Sequence, residues 1–437
     1  MAGVITQEGG KGANQSGGHS FFRCSVSFGG PGVRLGATRA GRPLSQPHHL
    51  PFFDPMRHLA RYFLFTACLL ACQITGAAEP QRWSATAANA WYAKQPWLLG
   101  SNYIPANAVN QLEMWQADTF DPQRIDQELG WAQQLGMNTM RVFLHDLLWQ
   151  QDAQGFTRRV NTFLEIASRH GIKPMFVLFD SCWDPRPHLG PQHPPIPGVH
   201  NSGWVQSPSG AELADPASYP QLEAYVKGIV GAFAKDSRVL AWDVWNEPDN
   251  HGPPEYAAAE APGKVAKVAQ LLPLVFAWAR SREPIQPLTS AVWGHDDWTP
   301  KAHLNAVETI QLAQSDVMSF HDYNWPEKLQ QRITQLRQYG RPIICTEYMA
   351  REAGSTIDAS LPVGKQANVG MINWGLVVGK TQTNLPWDSW ERPYTLRPPT
   401  TWFHDLLRPD GTPYRAHEAE ILRALSALPK GVITVEH

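Results

Sequence analysis

The chain has 437 residues, 43% of them hydrophobic, and a formal net charge of -2 with no Lys/Arg-rich run. That length and apolar content suit one large α/β barrel or two ordinary domains, while the charge balance excludes the electrostatic footprint of a nucleic-acid binder and suits a neutral substrate. Eighteen Trp are a heavy load, and indoles not used in packing serve as flat platforms for ligands with C–H faces, sugars included.

Residues 1–55 are rich in Gly, Ser, Pro and Arg with little periodicity, which is the composition of a disordered leader or of an over-extended start. Residues 56–78 then have the build of a secretory signal. Arg57 and Arg61 supply the positive start, the apolar run from Tyr62 to Cys72 is too short to span a bilayer, and Gly76, Ala77 and Ala78 precede Glu79 as cleavage residues. The expectation is export, periplasmic or extracellular. Leu69-Leu70-Ala71-Cys72 resembles a lipidation box, so lipoprotein anchoring at Cys72 is the alternative. Of the five cysteines only Cys182 and Cys345 follow this segment. They form neither metal-ligand spacing nor a disulfide framework.

Residues 79–437 carry strand-like runs alternating with helical patterns. The runs are 97–103, 139–145, 173–180, 239–247, 288–294, 316–323, 342–348 and 370–377. Helical spacing covers 125–135 before the stop at Gly136, then 160–170, 221–235, 265–280, 327–339 and 416–428. The segments after the fifth and seventh runs are weaker, and Pro362 interrupts the latter. Eight alternations favour a single closed (β/α)8 TIM barrel over an open doubly wound sheet. No GxGxxG or GxxxxGK[ST] follows a strand, which counts against nucleotide binding.

In such barrels the chemistry gathers where strands end. The ends here are polar and aromatic: Asn102 and Tyr103, Arg141 with His145 and Asp146, Asp180 to Asp184, Asn246 and Glu247, Trp293 to His295, His321 to Tyr323, Glu347 and Tyr348, Asn373 and Trp374. Strand alternation puts Asp243, Trp245 and Glu247 on one face, with Asp243 expected to brace a buried network. Two long insertions, 181–219 and 375–414, follow the third and eighth strands. Long loops of this kind shape a binding cleft or close a pocket. Trp387, Trp390 and Trp402 in the second are candidate sugar platforms, with at least one expected simply to pack its loop.

These elements together resemble clan A glycoside hydrolases, closest to family 5. Asn-Glu-Pro at 246–248, His-x-Tyr at 321–323, Glu347, Trp374 and Arg141 match that pattern in order at successive strand ends, over residues 96–428. The wording WDVWNE also echoes family 10 xylanases, and Cys345-Thr346-Glu347-Tyr348 departs from the commonest family 5 wording.

The resemblance implies a retaining glycosidase with Glu247 as acid/base and Glu347 as nucleophile, a pair that needs its two pKa values pushed apart. Arg141 would hold Glu347 ionised, Tyr323 would bond the same carboxylate, His321 would orient the acid or bind a hydroxyl, Asn246 would contact the sugar 2-OH, and Trp374 would floor the reacting subsite. Arg141 as a mere salt bridge, and His321 with Tyr323 as a satisfied buried pair, are the plainer alternatives. His145, Asp180, Trp183 and Asp184 have positions that suit hydroxyl binding as well as structural roles. No metal and no organic cofactor is implied. The expected partner is a β-linked polysaccharide or oligosaccharide, bound by a monomer with no nucleic-acid or membrane partner. Xylanase specificity, transglycosylation with the same residues, and a non-hydrolytic carbohydrate-binding barrel remain as alternatives.

Overall fold

The computed structural model describes residues 81–433. The expected leader, signal segment and Cys72 box lie outside the described residues. Among the described residues no helix is long and apolar enough to cross a membrane.

Every strand-like run forms a strand: β1 Leu99–Asn102, β2 Thr139–Phe143, β3 Lys173–Val177, β4 Ala241–Asp243, β5 Leu288–Thr289, β6 Met318–His321, β7 Ile343–Glu347 and β8 Gly370–Trp374. The order is β5-β4-β3-β2-β1-β8-β7-β6 with all paired neighbours parallel. Just past β5, Val292 bridges to Phe320 in parallel, which closes the sheet into the expected (β/α)8 TIM barrel. The strands are shorter than their sequence runs because the last residues of each run bend out into the loops that build the mouth.

The helices are α1 Ala85–Ala93, α2 Gln111–Trp115, α3 Pro122–Gln134, α4 Asp146–Arg169, α5 Gly210–Ala214, α6 Tyr219–Phe233, α7 Lys264–Arg280, α8 Ala306–Gln314, α9 Pro326–Arg337, α10 Ile357–Gln366 and α11 Ala416–Ala427. Their ends are specified locally. Asp121 accepts from the Arg124 amide with Pro122 at the first turn of α3, and Gly136, at φ +81°, stops that helix. Capping boxes start α5 (Ser209 with Glu212) and α8 (Asn305 with Glu308). The helices held as weaker, α8 and α10, both form, and α10 runs through Pro362. A helix that packs on the barrel tolerates one lost backbone bond when its buried face outweighs it.

Side chains alternate along the strands as the pleat demands. Phe176, Trp242 and Met371 point outward into the large cluster shared with the helices, whereas Met175, Ala241, Ile344 and Ile372 point into the barrel floor. Ala88 and Tyr92 of α1 join that floor and plug the N-terminal end. Above the floor lie Arg141 and Asp243, both fully buried, and above them the polar strand ends.

Candidate active site

The site is built around Arg141, which β2 projects into the barrel with no exposure to solvent. Such a charge is costly unless its donors are matched, and all three donor nitrogens are. Nε and Nη2 donate to Asp243 Oδ2 at 3.0 and 2.7 Å, Nη1 to Asn102 Oδ1 at 2.9 Å and to Glu347 Oε1 at 2.7 Å, and Nη2 to Asn246 Oδ1 at 2.6 Å. Asp243 is therefore the counter-ion and brace expected of it.

Both glutamates reach this centre by breaking strand alternation. β4 ends at Asp243, Trp245 packs on Phe179 in the outer core, and Asn246 turns inward to Arg141. Glu247 follows at φ +41°, a left-handed conformation uncommon for a side-chain-bearing residue. The expected shared face of Asp243, Trp245 and Glu247 is thus wrong, because the parity flips between 243 and 246. In β7 a bulge does the same work. Phe320 pairs with Cys345 and His321 with Glu347, so Thr346 is the extra residue and Glu347 is re-aimed into the barrel.

The result is a compact set. Glu247, His321 and Glu347 each place one oxygen or nitrogen within 4.8 Å of the others. His321 Nδ1 lies 2.8 Å from Glu247 Oε1 and 3.5 Å from Glu347 Oε2, and Tyr323 Oη donates to Glu347 Oε2 at 2.7 Å. Glu247 Oε2 accepts from Asn250 Nδ2 at 2.5 Å and from the Cys182 thiol at 3.5 Å. These three groups have the composition of a metal-ligand set, but a guanidinium 2.7 Å from one of the carboxylates makes this a poor place for a cation.

Burial pushes both carboxyls above their ordinary range. The difference lies in what opposes burial. At Glu347, His321, Arg141 and Tyr323 oppose burial while the neighbouring Glu247 adds to it; at Glu247 the opposition comes from the Asn250 amide, the Cys182 thiol and Arg141. By contact the two differ: Glu347 has a guanidinium 2.7 Å away, whereas the Glu247 oxygens meet only the neutral donors of Asn250, Cys182 and His321. Burial lowers His321 to about 4, so its ring is neutral and can donate to whichever carboxylate is charged.

Above this centre opens a cleft of about 370 Å³. Asn246, Glu247, Tyr323, Glu347, Trp374 and Trp183, all anticipated from the sequence, line it. Trp374 is held edge-on by Phe143 at 5.8 Å and by Trp204 at 6.1 Å. Asp180 is fully buried one layer beneath. It accepts Asn246 Nδ2 at 2.9 Å and the Trp204 indole at 2.6 Å, so it positions Asn246 instead of meeting substrate. Burial lifts its carboxyl to about 6. Of the two roles open to His145, hydroxyl binding and a structural one, the structure shows the structural one. Its fully buried ring accepts from the Leu147 amide at the start of α4, because the chain after β2 turns directly into a helix that needs a cap. Asp184 is occupied by Arg186 at 2.9 Å.

Of the three loop indoles, Trp387 and Trp390 line the cleft, while Trp402 stacks on Tyr414 at 4.3 Å and packs its loop. Sequence inspection missed His200, Asn201, Trp204, Asn250, His251 and His404 as cleft residues. Lone residues inside long loops carry no periodic signal. The xylanase-like wording is uninformative about substrate, because Trp242 packs on Phe176 and Trp245 on Phe179.

No family model matches the chain, and no curated protein matches it in sequence. Solved structures do match in shape. The GH5_18 protein of Streptomyces cattleya, in complex with Manb1-4GlcNAc, superposes with a TM-score of 0.53 at 15% identity, covering 77% of this chain and 82% of its own. The GH5_18 protein of Bifidobacterium longum subsp. longum, in complex with the same disaccharide, gives 0.53 at 15% identity over 76% and 79%. That of Bifidobacterium longum subsp. infantis gives 0.52 at 13% identity over 76% and 79%. The barrel is the one these GH5 proteins use. At such identities the likeness concerns the fold, and the case for chemistry stands on the residues above.

Proposed function

We propose that the chain is a retaining glycoside hydrolase that cleaves β-linked oligo- or polysaccharides by double displacement. The observation that carries this reading is the pair Glu247 and Glu347, one oxygen of each lying within 4.8 Å of the other, which suits the roughly 5–5.5 Å carboxyl separation of retaining enzymes. Glu247 hands its proton to the glycosidic oxygen while the Glu347 carboxylate attacks the anomeric carbon. The C–O bond to the leaving group breaks and a glycosyl ester forms on Glu347. Glu247, now a carboxylate, takes a proton from water, which attacks the same carbon and frees Glu347.

The other groups fit these steps. Arg141 and Tyr323 stabilise the Glu347 carboxylate as it leaves. Asn246 spends its oxygen on Arg141 and one N–H on Asp180; its second N–H has only a long contact to the Cys182 sulfur at 4.0 Å, which a sugar 2-OH can replace. Trp374 offers the platform. The disaccharide bound by two structural neighbours, Manb1-4GlcNAc, makes β-mannosides the first members of a substrate panel that also includes glucans and xylan.

Glu347→Ala tests the mechanism. Hydrolysis of an activated aryl β-glycoside should vanish, and added azide should restore turnover with the inverted glycosyl azide as product. Unimpaired hydrolysis by the variant would remove Glu347 from its role. Oligosaccharide binding by the wild type with no reducing ends released would favour a carbohydrate-binding barrel, and products longer than the substrate would indicate transglycosylation. Export through residues 56–78 is proposed alongside, and mature protein beginning at Glu79 outside the cytoplasm is its test; a chain retained in the cytoplasm would refute it.

A further inference from the structure

We infer that the cleft is a dead-end pocket that holds the terminal non-reducing sugar, so that the enzyme removes single sugars from chain ends, and that Asn201 Oδ1 and His404 Nε2 are acceptors for hydroxyls of that sugar. This rests on the glycosidase reading above and adds where on the chain the cut falls.

The first argument is a seam between the two long loops. Gln382 accepts from the Gly198 amide at 2.9 Å and donates to the carbonyls of Ile196 and Val199 at 2.7 and 3.0 Å. The Asn201 amide donates to Thr381 O at 2.7 Å, the His200 amide to Ser389 Oγ at 2.9 Å, and the Tyr394 amide to Gly198 O at 2.8 Å. Gly198 is needed for this contact. It sits at φ +77°, and a Cβ there would fall 2.7 Å from the Tyr394 backbone. Segments about 180 residues apart in sequence are thereby joined into one wall, with His200, Asn201, Thr381 and Ser389 buried in it and the Gln382 bonds nearer the surface.

The second argument is where that wall stands. The loops leave the barrel after β3 and β8, and between those strands lie only β1 and β2. Each strand from β3 to β8 or its following loop contributes to the cleft lining, and β1 and β2 contribute none. On the β1–β2 side the cleft adjoins only a small cavity of about 20 Å³, lined among others by Asn102, Phe143, Trp204 and Trp374, which has no room to pass a sugar ring. Trp183 and Trp390 meet at 6.3 Å, adding a second contact between the loops.

The third argument gives the blocked end its chemical direction. Trp374, beside the wall and in edge contact with Trp204, floors the ring whose anomeric carbon Glu347 attacks. The leaving group lies on the side of Glu247, where the exposed His251 and half-buried Trp293 line the cleft. The glycone therefore meets the wall and the aglycone points to the open side.

The wall also carries unused bonding capacity. His404 Nδ1 bonds the Met349 carbonyl, which fixes its proton there, so the neutral ring turns a bare Nε2 lone pair elsewhere; that atom and Asn201 Oδ1 are buried and have no partner. Both residues line the cleft and neither is more than 3% exposed. Buried acceptors without donors are costly, and hydroxyls of a terminal sugar are donors of the required kind.

The test uses the full-length enzyme and β-1,4-linked manno-, gluco- and xylo-oligosaccharides, each with and without a methyl ether at O4 of the non-reducing terminal ring. The expected result is monosaccharide as the first product and no cleavage of the capped series. Early release of di- and trisaccharides, or cleavage of capped chains at comparable rates, would overturn the inference while leaving the glycosidase reading intact. Failure to cleave any oligosaccharide or aryl glycoside would overturn both. Gln382→Ala, or Ser389→Ala if the first does not fold, loosens the seam and should make cleavage of the capped series detectable, with aryl-glycoside turnover unchanged. Asn201→Ala and His404→Phe should each lower kcat/KM on uncapped chains by about 10-fold, the worth of one hydrogen bond. An unchanged kcat/KM in both folded variants would remove the two acceptors from the proposal.

Discussion

Arg141 touches Glu347 at 2.7 Å from a position wholly shielded from water. The same guanidinium neutralises Asp243 at 2.7 Å, so it serves one carboxylate that reacts and one that does not. Arg141→Ala strands two buried carboxylates. The expected cost is about 3–5 kcal/mol in urea denaturation and a fall of about a hundredfold or more in kcat/KM. Arg141→Lys retains the charge but loses the fork that meets four partners, and should fall between. Wild-type kinetics in a folded Arg141→Ala would show that the ion pair is only structural.

The proton donor can be tuned separately. Asn250 Nδ2 donates to Glu247 Oε2 at 2.5 Å and favours the charged form of a carboxyl that burial has already raised. Removing that donor disfavours the anion further, so in Asn250→Ala the Glu247 pKa rises and the protonated acid persists to higher pH. The basic limb of the kcat/KM profile should therefore move upward while the acidic limb, set by Glu347, moves much less. A basic limb that stays fixed or shifts downward would separate Glu247 from the donor role.

Most of the barrel was legible because its cause is local. Apolar runs of period two, caps such as Asp121 and Asn305, and the stop at Gly136 act over a few residues, and eight strands appear at eight predicted places. The site was legible as residue types at strand ends, but its aim was not. Alternation places Glu247 with Trp245, yet the chain flips parity after Asp243, and a bulge at Thr346 re-aims Glu347. Such breaks arise from neighbours distant in sequence, here Arg141 and His321, and leave no periodic trace. The same holds for His145, whose ring caps a helix, and for Asn201 and His404, which the seam between two loops brings to the cleft.

The loop indoles separate by environment. Trp387 is 41% exposed at the cleft and stands edge-on to Tyr323 at 5.1 Å, whereas Trp402 lies flat on Tyr414. Trp387→Ala should raise KM or lower kcat/KM several-fold with little loss of stability. Trp402→Ala should lower the midpoint of thermal unfolding and leave kcat/KM near wild type, because the stack contributes packing of about 0.5–1.5 kcal/mol beyond its buried area. The reverse pattern in paired kinetics and melting curves would exchange the two roles.

Asp405 predicts a pH dependence of stability that is independent of catalysis. Burial pushes its carboxyl up to about 7, against the partial opposition of the Thr383 hydroxyl and Arg351, and its Oδ1 has no partner. An unfolded aspartate titrates near 3.9. Because the folded value is the higher one, the folded state binds the proton more tightly. This contribution to stability is fully present below about pH 4 and is lost as pH rises through about 7. The gap between those values corresponds to at most about 4 kcal/mol. Asp405→Asn keeps the shape without the charge and also suits the left-handed backbone at φ +52°. The variant should match the wild type near pH 4 and exceed it in urea stability by a few kcal/mol at pH 8. Parallel stability curves across that range would show that Asp405 is already ionised in the folded protein.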